Sequence, residues 1–264
     1  MDTETYIFKN KQAWDQRTEV HIKSDFYDQD SFMNGKNSLK EIELNLLGDV
    51  KGKSILHLQC HFGQDTLSLA RMGAQVVGID FSEKAIQEAN KMNDELKLDA
   101  QFICCDIYDL PTYLDQQFDI VFTSYGTIGW LPDIRRWAQI VSRYLKPRGT
   151  FIFAEFHPVL WMFDNAITQV TYNYFHDKAI IEHEEGTYAD KDAAIQPETI
   201  TWNHAFSEVM QALLDEKLQL QTFQEFDYSP YNVVPNGEEV EPGKYRAKHM
   251  GNKLPLVYAL KMVK

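Results

Sequence analysis

Short apolar runs alternate with longer segments of helical period through the middle of the chain, and this alternation constrains the fold more than any other feature. The apolar runs lie at 54–58, 75–79, 100–104, 118–123 and 149–155, and the helical segments lie at 64–72, 82–93 and 133–145. Runs that are apolar throughout are typical of strands covered on both faces, and strand–helix–strand repeats are typical of a parallel sheet. The sequence therefore predicts an α/β fold with a doubly wound sheet.

An N-terminal segment precedes this repeat. Residues 1–34 are mostly polar but contain six Phe, Tyr and Trp residues, which is too many for a solvated tail. A helical period then begins at Ser38 and stops at Gly48. We expect residues 1–50 to form a helical arm that folds over the core as a lid.

The chain after the repeat predicts an insertion and an antiparallel closure. Residues 158–203 lack a helical period, and two β-like runs at 168–175 and 179–183 surround a turn at 176–178, so the expected structure is an inserted β cap with a hairpin. After the insertion, the sequence predicts a helix at 204–216, a strand at 218–226, a Pro/Gly-rich loop that includes Pro235, and a strand at 255–262. These complete seven strands, with the last one antiparallel.

The charge distribution argues against nucleic acid and membrane partners. The 264 residues carry a net charge of −13, and residues 158–241 alone hold sixteen Asp and Glu against three Lys. Only residues 242–264 have a basic excess, of +6, which is too small to neutralise a run of phosphates. No apolar run approaches the 18 or so residues of a membrane span. We expect a small-molecule partner, and a monomer or a homodimer.

Three cysteines, Cys60, Cys104 and Cys105, are too few for a disulfide framework and fit a reducing compartment. The first residues lack the basic and apolar regions of a signal peptide, so the sequence predicts a cytoplasmic protein. His57, Cys60 and His61 have poor spacing for zinc, and no metal site is predicted there.

The turn after the first strand is the place where a doubly wound sheet binds its ligand. It reads His57-Leu58-Gln59-Cys60-His61-Phe62-Gly63. A dinucleotide-binding turn needs three glycines at 59, 61 and 64, and all three are absent, which argues against a nicotinamide-dependent oxidoreductase. The motif D/E-x-G-x-G-x-G of class I S-adenosylmethionine-dependent methyltransferases falls on 57, 59, 61 and 63, and only Gly63 matches.

The surrounding sequence resembles that methyltransferase family more closely. The segments that carry the resemblance are GIDFS at 78–82, CCDI at 104–107, FDIVFTSYGTIGWLPD at 118–133 and LKPRGTFIFAE at 145–155. The turn itself is similar to a bacterial subgroup that has L-H-L-Q-C-H in place of the glycine-rich motif. The resemblance implies a Rossmann-like domain at 51–264 and S-adenosylmethionine as the cofactor, with S-adenosylhomocysteine as the product.

The resemblance also implies a set of cofactor-binding residues. They are His57, Gln59, Cys60, His61, Gly63, Asp80, Phe81, Asp106, Ile107 and Ser124. Among them, Asp80 matches the acidic residue that holds the ribose hydroxyls, and Asp106 matches the residue that contacts the adenine. Each of these two carboxylates also fits a helix cap, and Gly63 also fits simple loop geometry.

Methyl transfer is an in-line displacement, so alignment does most of the work and only a hydroxyl, thiol or protonated amine acceptor needs a base. We expect His157 to be that base and Tyr125 to border the methyl group. The aromatic residues of the arm and the later tryptophans fit either a lid or ordinary packing; as a lid, they stabilise a sulfonium by up to about 2 kcal/mol. A non-catalytic S-adenosylmethionine-binding protein of the same fold is the alternative.

Overall fold

A computed structural model of the protein describes residues 3–234 and 236–264; Met1 and Asp2 of the predicted arm and Pro235 of the predicted loop lie outside the described residues. The helices are α1 (Thr3–His21), α2 (Gln29–Met33), α3 (Glu41–Leu47), α4 (Gln64–Arg71), α5 (Glu83–Leu96), α6 (Ile134–Tyr144) and α7 (Phe206–Asp215). The strands are β1 (Ser54–Leu58), β2 (Gln75–Asp80), β3 (Gln101–Cys104), β4 (Phe118–Ser124), β5 (Leu145–Phe156), β6 (Ile180–His183), β7 (Glu198–Thr201), β8 (Gln219–Phe226), β9 (Gly237–Glu241), β10 (Lys244–Ala247) and β11 (Val257–Val263).

The central sheet has seven strands in the order β3-β2-β1-β4-β5-β11-β8. Strands β1 to β5 pair in parallel, and β11 is antiparallel to both of its neighbours. The predicted Rossmann-like doubly wound sheet with an antiparallel last strand is confirmed. The chain order reverses between β1 and β4, which makes the carboxyl ends of these strands the ligand-binding edge.

Alternate residues of the central strands enter two separate cores, one on each face of the sheet. Phe151 and Phe153 of β5 pack under α6 and α7, whereas Ile152 and Ala154 pack with α3 on the opposite face. Because both faces are covered, most positions of a strand here are apolar, and this explains the nearly continuous apolar runs of the sequence.

The predicted hairpin in the insertion is wrong. Residues 180–183 form β6, but β6 pairs with β7 instead of with residues 168–175. The run 168–175 forms no strand and contributes only an isolated bridge from Val170 to Phe163. Val170 and Phe175 are 60% and 69% exposed, so this run lacks the buried face that would fix it as a strand.

Helix α1 and the insertion pack against each other over the ligand-binding edge. Tyr6 of α1 makes an edge-to-face contact with Trp202, and the side-chain amide of Asn10 donates to the carbonyl of Ile200 and accepts from its N–H. The small β9–β10 hairpin lies within the predicted Pro/Gly-rich loop. Within residues 3–234 and 236–264, no helix is both long and apolar enough to cross a bilayer.

Candidate functional site

A cavity of about 1040 Å³ opens at the carboxyl ends of the parallel strands. Its floor is the turn after β1 with the residues that follow β2, β3 and β4, and its walls come from α1, the β6–β7 region and the segment near Tyr231. Small-molecule sites measure roughly 300–1,000 Å³, so the cavity has room for more than a single compact ligand. The fold therefore places the predicted turn at a large enclosed site.

The turn after β1 keeps a left-handed backbone at the positions where the methyltransferase motif has glycine. The φ angles are +54° at Gln59, +51° at His61 and +83° at Gly63. A non-glycine residue in this region costs on the order of 1–2 kcal/mol. The substituted side chains have therefore not changed the shape of the turn.

Contacts with neighbouring elements hold this strained turn. The Gln59 side-chain amide donates to the carbonyl of Thr127 at 2.9 Å, and the Cys60 N–H donates to the carbonyl of Ile79 at 2.8 Å. The His61 Nε2 lies 2.9 Å from the Nδ1 of His21 in α1. The side chains that replace glycine thus join the turn to the β4 loop and to the arm.

Gly63 lies at the N-terminus of α4, where a side chain has no room. A Cβ built at this position would lie 2.8 Å from the Phe102 ring and 3.0 Å from the Ala89 side chain. Loop geometry and packing alone therefore require glycine here. Gly63 also lines the cavity, so its expected closeness to a ligand stays a prediction.

Asp80 ends β2 and is 8% exposed. One carboxylate oxygen accepts from the His61 N–H and the other from the Ser82 N–H, each at 2.9 Å. Burial raises the pKa of Asp80 to about 6, and the two backbone hydrogen bonds oppose that rise. Each oxygen keeps a free lone pair, and Asp80 lines the cavity.

Asp106 follows β3 and caps the 3-10 helix Ile107–Thr112 by accepting from the Tyr108 N–H at 2.8 Å. It is half-buried, and burial raises its pKa. Asp106 lines the cavity together with Phe81 and the buried Ile107. The capping interpretation and the ligand-binding interpretation are compatible, because the cap uses only one of the carboxylate's oxygens.

His57 is buried in β1, and its Nδ1 lies 2.8 Å from the Thr66 hydroxyl. Burial lowers the pKa of His57 to about 3, so the ring is neutral at physiological pH. Ser124, at the end of β4, also lines the cavity. The other eight predicted cofactor-binding residues lie in the turn, at the end of β2, or after β2 and β3. The structure brings all ten residues together at the cavity.

Tyr125 lines the cavity, but its hydroxyl donates to the Glu43 carboxylate at 2.7 Å. Glu43 is fully buried in α3, and burial raises its pKa to about 7. Burial and the neighbouring Glu43 carboxylate raise the pKa of Tyr125 well above its ordinary value. Tyr125 is therefore protonated at neutral pH, as expected for a residue that borders the site without titrating.

Glu155, at the end of β5, also lines the cavity and is 2% exposed. Its carboxylate accepts from the backbone N–H groups of Gly126, Thr127, Ile128 and Phe156. The three donors that follow β4, Gly126, Thr127 and Ile128, fix the loop after this strand in place. Glu155 thus has a clear role in shaping the cavity wall.

His157 does not reach the cavity. Its Nε2 lies 3.0 Å from the Glu225 carboxylate, and its Nδ1 accepts from the Val159 N–H at 3.2 Å. His157 is absent from the cavity lining, and burial lowers its pKa. The structure therefore separates His157 from the other predicted site residues.

Helix α1 contributes site residues that sequence reasoning missed. Arg17 is 4% exposed, lines the cavity and packs against the rings of both Trp14 and Trp130, with its guanidinium carbon 5.4 and 5.2 Å from their centres. Its guanidinium donates to Glu184 of the insertion at 3.2 Å. The aromatic content of the N-terminal segment indicated a folded arm, but no signal in the sequence showed that Arg17 points inward.

A family described as a methyltransferase domain matches residues 49–225. An uncharacterised methyltransferase of Synechocystis is 34% identical over 131 residues, which cover 49% of this chain and 59% of that protein. A ubiquinone biosynthesis O-methyltransferase of Coxiella burnetii is 33% identical over 116 residues, which cover 44% of this chain and 48% of that protein. The matched part of the chain spans about half the length of these relatives.

Solved structures with the same fold are similar over most of the chain. An S-adenosylmethionine-dependent methyltransferase from Mesorhizobium loti has a TM-score of 0.59 at 17% identity, covering 88% of this chain and all 100% of that one. A geranyl diphosphate C-methyltransferase from Streptomyces coelicolor, solved with S-adenosyl-L-homocysteine, has a TM-score of 0.63 at 14% identity, covering 98% and 97%. At these identities the likeness is one of fold.

Proposed function

Because this chain belongs to the methyltransferase-domain family, we propose that it transfers a methyl group from S-adenosylmethionine to a small-molecule acceptor. The finer proposal is that it belongs to the subgroup with an L-H-L-Q-C-H turn. The left-handed backbone at Gln59 and His61 supports this, because it keeps the conformation of the glycine-rich motif without its glycines.

The observation that carries the proposal is that the turn after β1, Asp80 and Asp106 all line one cavity at the carboxyl ends of the parallel strands. Four buried atoms of cavity-lining residues have no hydrogen-bond partner among the described residues: Tyr6 Oη, Arg17 Nε, Gln59 Oε1 and His61 Nδ1. Nearly all buried polar atoms in native proteins are hydrogen bonded, so these four unpaired atoms set the surroundings of the cavity apart from an ordinary packed core.

The chain's residues fit S-adenosylmethionine at the floor of the cavity. Asp80 offers two buried carboxylate lone pairs to the ribose hydroxyls, and Asp106 lies beside Ile107 to receive the adenine. The side of the turn that carries Gln59 and His61 faces the methionine part. When bound, the cofactor supplies an electrophilic methyl group on a sulfonium; the surrounding protein supplies orientation and excludes water.

The acceptor would bind between the arm and the insertion. Residues 1–50 and 158–203 act as a lid in this proposal, and both contribute to the cavity wall. Trp14 and Trp130 would place aromatic faces near the sulfonium, which gains stabilisation from such faces when water is excluded. A site closed by segments of the chain itself favours a small acceptor over a macromolecule.

Alignment of the acceptor with the methyl group is the main source of rate in this proposal. Tyr125 borders the acceptor side, and Glu155 holds the loop after β4 by three backbone hydrogen bonds. The proposal does not use His157, the base expected from the sequence, because both of its ring nitrogens are bonded to groups outside the cavity lining. We also propose a cytoplasmic location, because Cys60, Cys104 and Cys105 are free thiols.

Turnover distinguishes this enzyme from its alternative, a non-catalytic binding protein of the same fold. The experiment supplies methyl-labelled S-adenosylmethionine with a panel of small hydroxyl, thiol and amine acceptors, and measures S-adenosylhomocysteine release and label transfer. We expect release with at least one acceptor class, and its loss in Asp80→Ala. Tight cofactor binding without release across the panel would establish the non-catalytic alternative.

A further inference from the structure

A second group of chemically active side chains lies outside the cavity. His176 comes from the insertion, His204 directly precedes α7, and Glu208 lies in the first turn of α7. One ligand atom from each of the three residues lies within 4.8 Å of the other two. None of these residues lines the cavity, and the methyl-transfer proposal uses none of them.

The hydrogen bonds of His204 leave a gap that a cation would fill. Its Nε2 lies 2.7 Å from the Leu131 carbonyl, which only accepts, so Nε2 carries the hydrogen. In a neutral ring, the lone pair is then on Nδ1, and Nδ1 lies 3.2 Å from a carboxylate oxygen of Glu208. Two acceptors face each other at a side chain that is 1% exposed, so a proton or a metal ion must lie between them.

The distances accommodate a metal ion. Charge-assisted hydrogen bonds between imidazolium and carboxylate measure about 2.7–2.9 Å. Zinc–nitrogen and zinc–oxygen bonds of about 2.0–2.1 Å in tetrahedral geometry place neighbouring ligand atoms about 3.3 Å apart. The observed separations are 3.2 Å from His204 Nδ1 to Glu208 Oε2 and 3.4 Å from His176 Nδ1 to Glu208 Oε1, so an ion held by both oxygens of Glu208 would face both histidines.

The surroundings hold the ligands in position. The bond from His204 to a backbone carbonyl is the outer contact that orients metal-binding histidines in general. The Asn203 side-chain amide donates to the carbonyls of Trp161 and Asn173, and the Phe206 N–H donates to the Tyr174 hydroxyl. These bonds fix the segment before His176 against the start of α7.

We propose that His176, His204 and Glu208 bind a zinc-type divalent cation, with water in the remaining coordination position. The ion would fasten the insertion to α7, and the Leu131 carbonyl would connect it to the loop that carries Trp130 in the cavity wall. The role is structural: the bound ion stabilises the closed position of the insertion. His176 and His204 are 28 residues apart and form no recognisable metal-binding motif, so the sequence predicted no metal site here.

The test is calorimetric titration of the full chain, freed of any affinity tag and of metal, with zinc chloride. We expect one site of micromolar or tighter affinity, weakened at least tenfold in His176→Ala. His176 is exposed, so this variant should fold. His183→Ala removes an exposed histidine of the same insertion that lies outside the cluster, and its affinity should equal that of the unmodified protein.

Two further readouts make the outcome decisive. Cobalt(II) should give the visible absorption of a tetrahedral site in the unmodified protein and in His183→Ala, but not in His176→Ala. Zinc should also raise the melting temperature of the first two proteins only. Absence of zinc binding, or equal binding by His176→Ala, would overturn the proposal and leave an ordinary hydrogen bond between His204 and Glu208.

Discussion

At the scale of single residues, the site combines strained backbone with unpaired buried groups. Gln59 and His61 hold left-handed conformations that glycine adopts without cost, and each side chain is used to contact another element. Residues in such conformations persist only where their surroundings determine them, and they concentrate at functional sites. The side chains at 59 and 61 therefore cost backbone strain but join the turn to the loop after β4 and to the arm.

His61→Gly should release the arm while leaving the core intact. Glycine relieves the positive φ, but the contact between His61 and His21 is lost, so we expect faster hydrogen exchange throughout α1. Gln59→Gly is the matched control, because it relieves a similar φ without touching the arm. Equal exchange rates of α1 in the two variants would contradict this role of His61.

The raised pKa of Asp80 predicts that cofactor affinity depends on pH. Its pKa is raised to about 6, and the ionised form is the better acceptor for ribose hydroxyls, so affinity should fall as the pH falls through this value. Between pH 7 and pH 5 we expect a loss of about tenfold in the affinity for S-adenosylhomocysteine. Asp80→Asn should bind weakly at both pH values, and a pH-independent affinity in the unmodified protein would argue against ribose recognition by this carboxylate.

At the scale of elements, the parallel strands were predictable and the insertion was not. Residues 54–58 and 118–123 are mostly apolar and almost wholly buried because both faces of the sheet are covered, and this local signal fixes them as strands. Residues 168–175 alternate in the same way as a strand, but strand formation there depends on a partner that the fold does not supply. The turn and the two carboxylates were found by resemblance. Arg17 enters the site, and Glu43 reaches the Tyr125 hydroxyl behind it, through long-range packing that no spacing reveals.

The buried Glu43 of helix α3 should make the free energy of unfolding depend on pH. This carboxyl accepts from the Lys40 N–H and the Tyr125 hydroxyl, and burial raises its pKa from an ordinary 4.5 to about 7. The folded protein thus binds this proton more tightly than the unfolded chain, so ionised Glu43 lowers stability above about pH 7, and that cost disappears as the pH falls towards 4.5.

Glu43→Gln should therefore raise the free energy of unfolding at pH 8, by about 1–3 kcal/mol, and leave it unchanged at pH 5. Urea denaturation at the two pH values measures this difference. Glu41→Gln in the same helix is the control, because Glu41 is exposed. A stability gain of the same size at both pH values would show that the burial of charge is not its cause.

At the scale of the whole molecule, the proposed function has one chain supply both the cofactor floor and the lid. The arm and the insertion meet at Tyr6 and Trp202, and Arg17 joins them through Glu184. A ligand beneath this contact must tighten it. At a hundredfold excess over its dissociation constant, S-adenosylhomocysteine should stabilise the protein by about 2.7 kcal/mol and raise the melting temperature by roughly 5–10 °C.

Hydrogen exchange with and without S-adenosylhomocysteine locates that stabilisation. We expect added protection in α1 and in the β6–β7 pair as well as in the turn after β1. A matched measurement with adenosine alone, which lacks the methionine part near Gln59 and His61, should protect the ends of β2 and β3 more than the lid. Protection confined to the central sheet with both ligands would contradict the lid.

The most direct test of the central claim is calorimetric titration of the protein with S-adenosylmethionine and S-adenosylhomocysteine, repeated on Asp80→Ala and on Asp109→Ala. Asp109 is exposed in the 3-10 helix after β3, so it controls for the loss of one carboxylate. We predict micromolar binding that Asp80→Ala abolishes and Asp109→Ala retains. Absence of binding at millimolar ligand, or equal affinity in Asp80→Ala, would contradict the assignment of the cavity to this cofactor.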